Sequence, residues 1–213
     1  MREHLLRFDK TRSYVFIDCE TFNLCLNKSY NLPWQIAMIK VIAGEKVAEK
    51  NFYIKWETDL KIGEKAAEIT RYSQKTMERL GVTPKEVFPT IQDWLDKADW
   101  IIAHNMLNFD LYLIKDYYRL FGFGYKHLID KILDTNALAK GVKLNAPYRP
   151  EEGSLIEYQY RMAHIRQKGL KTNLTALGKG YGIEHDYENL HDALIDLDLN
   201  LKVWNKMKWQ LEI

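Results

Sequence analysis

Tyr14–Ile17 is a short β-branched and aromatic run that ends on two carboxylates, Asp18 and Glu20. A run of this composition reads as a buried strand. Residues i and i+2 of a strand point to one face, so the two acids should emerge side by side where the strand leaves the core. Like charges at that spacing repel unless a cation neutralises them, and hard divalent cations take such oxygen donors. This one element demands a sheet and places an unusual charge density at the end of one of its strands.

The rest of the chain supplies strands and helices in a telling order. Trp34 to Ala43 reads as a second strand closed by Gly44-Glu45, and Lys50 to Trp56 as a third, so residues 34–56 are expected to form an antiparallel hairpin. From Lys61 to Leu80 the period becomes that of a helix, with Ala66, Ile69, Met77 and Leu80 in register and Gly81 as the stop. Thr83-Pro84 opens another helix that runs to about Ala98. A short strand at Trp100–Ala103, a helix at Asp110–Phe121, a short strand at Ile132-Leu133 before Asp134, and a helix at Asn136–Gly141 follow. Asn145–Lys171 contains Pro147, Pro150 and Gly153, then a polar helix-like stretch. Asn173–Tyr181 reads as a helix. The last helix starts near His191 and runs to about Trp209, with Leu190, Leu194, Leu197, Leu201 and Trp204 as its apolar stripe. Lys208–Ile213 reads as a frayed end. The order predicts an α/β fold with a mixed five-stranded sheet flanked by helices. No linker divides the 213 residues, so residues 1–213 read as a single domain with an insertion at about 145–171.

Charge narrows the partners. Lysine and arginine number 31 against 29 acids, a formal charge of +2. A protein that coats duplex DNA is usually more basic, whereas handling one strand end needs only a local basic surface. Such a surface is present: Arg161, Arg166, Lys168, Lys171 and Lys179 lie in one stretch without an acid, beside His164. It reads either as a phosphate-tracking patch or as a solvated helix face. Cys19 and Cys25 are too few for a disulfide framework, and Cys19 is expected to pack as a small hydrophobe. The first ten residues are charged, which predicts no signal peptide, and no apolar window is long enough to span a membrane. A cytoplasmic protein without a membrane partner is the expectation.

Two further clusters carry titratable groups. Asp110 falls at the start of a helix, just after His104-Asn105 and Phe109. His191 and Asp196 are five residues apart, a rotation of about 140° on a helix. They therefore do not share a stripe, and His191 must precede the helix or sit in its first turn. Asp192 is better placed as a helix N-terminal acid, and Asp198 at the border of the buried stripe. Singly, each cluster has a plain explanation: a strand entering a loop, an acid on a helix dipole, a capping residue.

Jointly they resemble the DEDDh 3′–5′ exonucleases, the superfamily of the polymerase proofreading epsilon subunit and ribonuclease T. The first motif is similar to Phe16-Ile17-Asp18-Cys19-Glu20-Thr21, the second to Ala103-His104-Asn105-Met106-Leu107-Asn108-Phe109-Asp110, and the third to His191-Asp192-Ala193-Leu194-Ile195-Asp196. Trp34-Gln35-Ile36 and Asp134-Thr135 match secondary features of the family. Where many relatives carry a histidine after an isoleucine, Thr70 follows Ile69 here. The resemblance implies a ribonuclease H-like fold and one exonuclease domain with a basic insertion. It also implies hydrolysis from 3′ ends of mainly single-stranded nucleic acid, releasing nucleoside 5′-monophosphates. Asp18, Glu20, Asp110 and Asp196 would hold two Mg²⁺ ions, with Mn²⁺ a substitute. His191 would be the general base, since an imidazole ordinarily titrates at about pH 6.5. Thr21, Phe22, Asn105 and Phe109 would contact substrate, the aromatics by stacking. His104 is expected to pack or bond locally. Proofreading would require a polymerase partner in trans. Rival readings are a ribonuclease H-like endonuclease, an RNA-trimming nuclease, and a strand-binding accessory module that does not cut. A phosphatase with Asp18 as nucleophile leaves His191 and Asp110 unexplained.

Overall fold

In the computed structural model, residues 5–23, 31–57 and 61–213 are described; Cys25 lies outside them. The first strand, β1 (Ser13–Thr21), pairs antiparallel with β2 (Pro33–Ile42), which pairs antiparallel with β3 (Glu45–Ile54). The hairpin between β2 and β3 turns through Ala43 and Gly44, both at positive φ (55° and 83°), a twist that suits two-residue hairpins. Two short helices follow, α1 (Glu64–Thr70) and α2 (Gln74–Leu80). The periodicity alone suggests one helix over 61–80. The chain instead breaks at Arg71, which adopts a left-handed φ of 54°, and Ser73 restarts it by capping α2 through Thr76 N–H.

Gly81 ends α2, as its sequence position suggests, but the next step corrects the strand count. Gly81–Val82 forms a two-residue strand, β4, parallel to β3, so the sheet has six strands and not five. A Cβ at Gly81 would collide with the Met77 carbonyl, so the tight turn requires glycine. Helix α3 (Pro84–Lys97) opens with a full capping box between Thr83 and Glu86. Then come β5 (Trp100–Ala103), α4 (Asp110–Leu120), β6 (Ile132–Asp134), α5 (Thr135–Lys143), α6 (Leu155–His164), α7 (Leu174–Gly180) and α8 (Ala193–Met207). The sheet order is β4-β3-β2-β1-β5-β6, with β5 and β6 parallel to β1.

Both faces of the sheet are covered, which is why β1 and β2 are apolar almost throughout. Val15, Ile17 and Cys19 pack with α3 and α4 through Phe88, Ile91, Leu113 and Tyr117. Tyr14 and Phe16 pack on the opposite face with α5 and α8 through Leu138, Leu197, Val203 and Trp204. Strand alternation therefore assigns Asp18 and Glu20 to the α8 face and Cys19 to the α4 face. The buried side of α8 is Ala193, Leu197, Leu199, Asn200, Val203, Trp204 and Met207. Leu194 and Leu201, expected in the stripe, are only half-buried. The last residues are not frayed: Leu211 is buried, Leu6 N–H donates to Ile213 O at 2.7 Å, and Arg7 donates to the carbonyls of Trp209 and Leu211.

Residues 145–171 lie against α5. Lys140 Nζ donates to Ala163 O and Ile165 O, and Tyr158 Oη to Ala146 O. Gln159 on α6 is fully buried; its Oε1 accepts Asp134 N–H at 2.7 Å and its Nε2 donates to Ile132 O at 2.9 Å. No described helix is long and apolar enough to cross a membrane.

Candidate active site

At the end of β1 the alternation brings Asp18 and Glu20 onto the face where α8 begins. One carboxylate oxygen from each of Asp18, Glu20 and Asp196 lies within 4.8 Å of the others. Asp196 is the fourth residue of α8, and the approach to that helix is built by its two predecessors. His191 takes a left-handed φ of 72°, a conformation that costs about 1 kcal/mol or more for a residue with a side chain. The turn lets Asp192 accept Leu194 and Ile195 N–H as the N-cap, and His191 N–H reaches Asp196 Oδ1 at 3.3 Å. His191 itself precedes the helix and is exposed, at the rim of the carboxyl cluster. Asp198 points elsewhere, to Lys202 at 2.7 Å.

Asp110 is the first residue of α4 and is 2% exposed. Its oxygens are outside the 4.8 Å set, yet its charge is the largest neighbouring influence on Asp18. Its Oδ1 has no hydrogen-bond partner, an expensive condition for a buried carboxylate. Among the described residues no lysine or arginine pairs with any of the four acids. Burial, reinforced by the other carboxylates, therefore raises their pKa values: Asp18 well above the usual range and Glu20 to about 9. Asp110 rises to about 7, chiefly through burial. Asp196 rises to about 6, again through burial, with the His191 N–H pulling against it. Such a cluster must hold protons or a cation. An all-oxygen donor set of half-buried and buried acids fits a hard divalent ion.

The loop between β5 and α4 is held differently. Asp134, at the end of β6, is fully buried and accepts four backbone N–H groups: Asn105 and Asn136 at Oδ1 with Ala137, and Leu107 at Oδ2. Burial pushes its carboxyl up, and these four donors oppose the shift. The clamp fixes Asn105 in a left-handed turn (φ 69°) and so sets where α4 and Asp110 begin. His104 Nδ1 meets Thr135 Oγ1 at 3.0 Å and its Nε2 meets Asn136 Nδ2 at 3.2 Å; burial lowers its pKa to about 4, so it is neutral and locally bonded. Thr135 Oγ1 also donates to Asn200 Oδ1 on α8, tying the helix that carries Asp196 to the second-motif loop.

The expected substrate contacts fall into two groups. Asn105 and Phe109 are partly exposed beside Asp110. Thr21 and Phe22 are buried: Thr21 Oγ1 donates to Asn23 O at 2.7 Å, and Phe22 packs with Trp34, Met77 and Tyr72. Thr70 is buried too, its hydroxyl donating to Ala66 O. Sequence reasoning noted Asp134-Thr135 only as a family feature and missed the clamp. An aspartate directly before a helix start is a capping signal that would have exposed half of it. Gln159 and Asn200 left no local signal.

A ribonuclease H-like sheet with an acidic cluster at the end of a central strand is the architecture of nucleases that use metal ions. A family model described as Exonuclease matches residues 15–204, and the chain belongs to that family and to the DEDDh superfamily within which it falls. Similar solved structures include E. coli exonuclease I in complex with a dA16 oligonucleotide, at a TM-score of 0.73 and 20% identity over 94% of this chain and 41% of that one. The complex with a dT13 oligonucleotide gives 0.71 and 20%, over 94% and 42%. The zinc ion bound form of the E. coli ExoI–ssDNA complex gives 0.72 and 19%, over 93% and 41%. At these identities the likeness is one of fold, and this chain spans about two-fifths of the length of those proteins. No curated protein matches it in sequence.

Proposed function

We propose that this protein is a 3′–5′ exonuclease acting on single-stranded ends, with Asp18, Glu20, Asp110 and Asp196 holding two Mg²⁺ ions and nucleoside 5′-monophosphates as products. The observation that carries the reading is the carboxyl cluster itself: four acids from three elements, none paired with a basic side chain among the described residues. When bound, the ions supply Lewis acidity and offset the charge of the phosphodiester. Mn²⁺, with similar oxygen preference, substitutes.

This chain's residues do the rest. His191, at the rim, takes the proton of the attacking water at an imidazole nitrogen. Its backbone N–H on Asp196 ties the loop of the base to one metal ligand, so the two move together. Asn105 and Phe109 border Asp110 and position the terminal nucleotide; Thr21 and Phe22 shape the floor of the site from within the core. Exonuclease I, which shares the fold, is described with single-stranded dT13 and dA16, and this supports a single DNA strand as substrate. In this reading residues 1–213 act as one exonuclease domain, and the single continuous sheet supports that. No observation supports a polymerase partner, and none is included.

The test is degradation of matched 5′-labelled single-stranded DNA, duplex DNA and RNA, with Mg²⁺ and with chelator. The reading expects a ladder shortening from the 3′ end of the single strand, absent in chelator. Full activity in chelator, or internal cuts ahead of end trimming, overturns it.

A further inference from the structure

Away from the carboxyl cluster, a second feature has the opposite charge. A groove of about 550 Å³ runs between the second-motif loop and the segment 165–173. Its walls carry Asn105, Asn108, Asn136, Lys140, Arg166 and Gln167, and no Asp or Glu lines it among the described residues. That volume suits a nucleotide-sized ligand.

The two cations in the groove are held side by side. Lys140, 8% exposed, donates to Ala163 O at 2.8 Å and Ile165 O at 3.2 Å. Arg166 donates to Ala163 O at 3.2 Å through one nitrogen, which leaves most of its five N–H groups for other partners. Neither forms an ion pair among the described residues. Burial first, and then the Arg166 charge, push the Lys140 pKa down. The pair, one cation from α5 and one from the segment after α6, is thus a concentration of positive charge with amide donors around it, and it shares the groove with Asn105 and Asn108 of the loop that starts α4 and positions Asp110.

We propose that this groove binds the sugar–phosphate backbone of a single strand whose 3′ end lies at the carboxyl cluster. The direction of the strand rests on the exonuclease reading; the binding itself does not. Lys140 and Arg166 meet the phosphates, and the amides of Asn105, Asn108 and Gln167 donate to phosphate and sugar oxygens. Contacts of this kind carry no sequence information, which suits an enzyme that must advance along any sequence. Lys168 and Lys171, exposed on the same segment, extend the positive track beyond the groove.

The experiment is anisotropy titration of a 5′-fluorescein oligo(dT) strand of about twelve nucleotides, with Ca²⁺ in place of Mg²⁺, across a range of salt. Arg166→Glu should weaken binding by roughly tenfold or more and reduce the salt slope by about 1–2. Lys206→Glu, the same charge change on an exposed residue of α8, should stay near wild type. Arg166→Gln, which removes the positive charge without adding a negative one, should fall between them; it decides the matter if the glutamate variant proves unstable by thermal unfolding. Equal affinities for the Arg166 and Lys206 variants, or no binding by the wild type, overturn the groove. Groove-dependent binding without cleavage in Mg²⁺ overturns the exonuclease reading alone. Cleavage from the 3′ end with Arg166-independent binding overturns the groove alone.

Discussion

Two parallel strands of this sheet, with β5 between them, each end in acid, and the protein treats the two ends in opposite ways. At β6, Asp134 receives four backbone N–H groups and serves as the cap of α5. At β1, Asp18 and Glu20 converge with Asp196 while Asp110 crowds them from behind, and Asp110 Oδ1 accepts nothing. The first carboxylate is satisfied by the chain and builds structure. The second group is left to repel, and only an external cation or bound protons relieve it. Burial alone does not separate a structural acid from a functional one; the count of donors does.

The comparison can be broken most sharply at Asp18. Asp18→Asn should remove detectable turnover with Mg²⁺, a loss of roughly 10³-fold or more. The same variant, free of metal, should melt no lower than wild type, because one of the repelling charges is gone. Activity near wild type, or a lower Tm in chelator, would place Asp18 with Asp134 as a structural acid. His191→Ala should lower turnover by roughly 10²–10⁴-fold while metal titration and Tm stay near wild type. Retained turnover would remove the base from the mechanism. Asp134→Ala should do the reverse of Asp18→Asn: four buried N–H groups lose their acceptor, stability drops by about 3 kcal/mol, and Tm falls by roughly 10 °C with or without metal. A Tm unchanged by that substitution would mean the clamp contributes nothing.

The smallest effect is in pH. Native Glu20, Asp110 and Asp196 keep protons up to about 9, 7 and 6, whereas in an unfolded chain carboxyls lose them at about pH 4. Between these limits the native state binds more protons than the unfolded state, so this contribution to stability falls as pH rises. Metal-free protein should therefore melt lower at pH 8 than at pH 5. Mg²⁺ should raise Tm more at pH 8, where it no longer competes with protons. An equal Mg²⁺ shift at both pH values would show that the cluster is ionised throughout.

How much of this could be read from residues alone follows from the range of each signal. Asp18 and Glu20 share a face because of a period of two, and Asp110 and His191 sit at helix starts because of the residues beside them. Those are local facts, and the fold agrees with them. The break at Arg71 was not legible, because a left-handed residue other than glycine or asparagine leaves no mark in composition. Strand β4 was too short to show a period. On α8, Leu194 and Leu201 pack against the core from the flanks of the helix, whereas Asn200 and Val203 take its deepest positions, a distinction the period alone does not make. The Asp134 clamp joins residues about thirty apart along the chain, and the groove pairs the second-motif loop with the 165–173 segment, so the residues show only the cap at Asp134 and the basic stretch 161–179, not the partners that complete them.

One side chain has a consequence for the molecule's behaviour among its own copies. A sheet with an open edge is a template on which a strand from another chain can add. At the β6 edge, the amide of Gln159 offers one acceptor to Asp134 N–H and one donor to Ile132 O, the pattern that an incoming strand would offer. The opposite edge, β4, is only two residues long. One border is thus plugged by a single glutamine; at the other, β4 covers only Tyr53 and Ile54 of β3, and the charges of Glu45, Lys46, Glu49 and Lys50 along the rest of that strand oppose the addition of a further one.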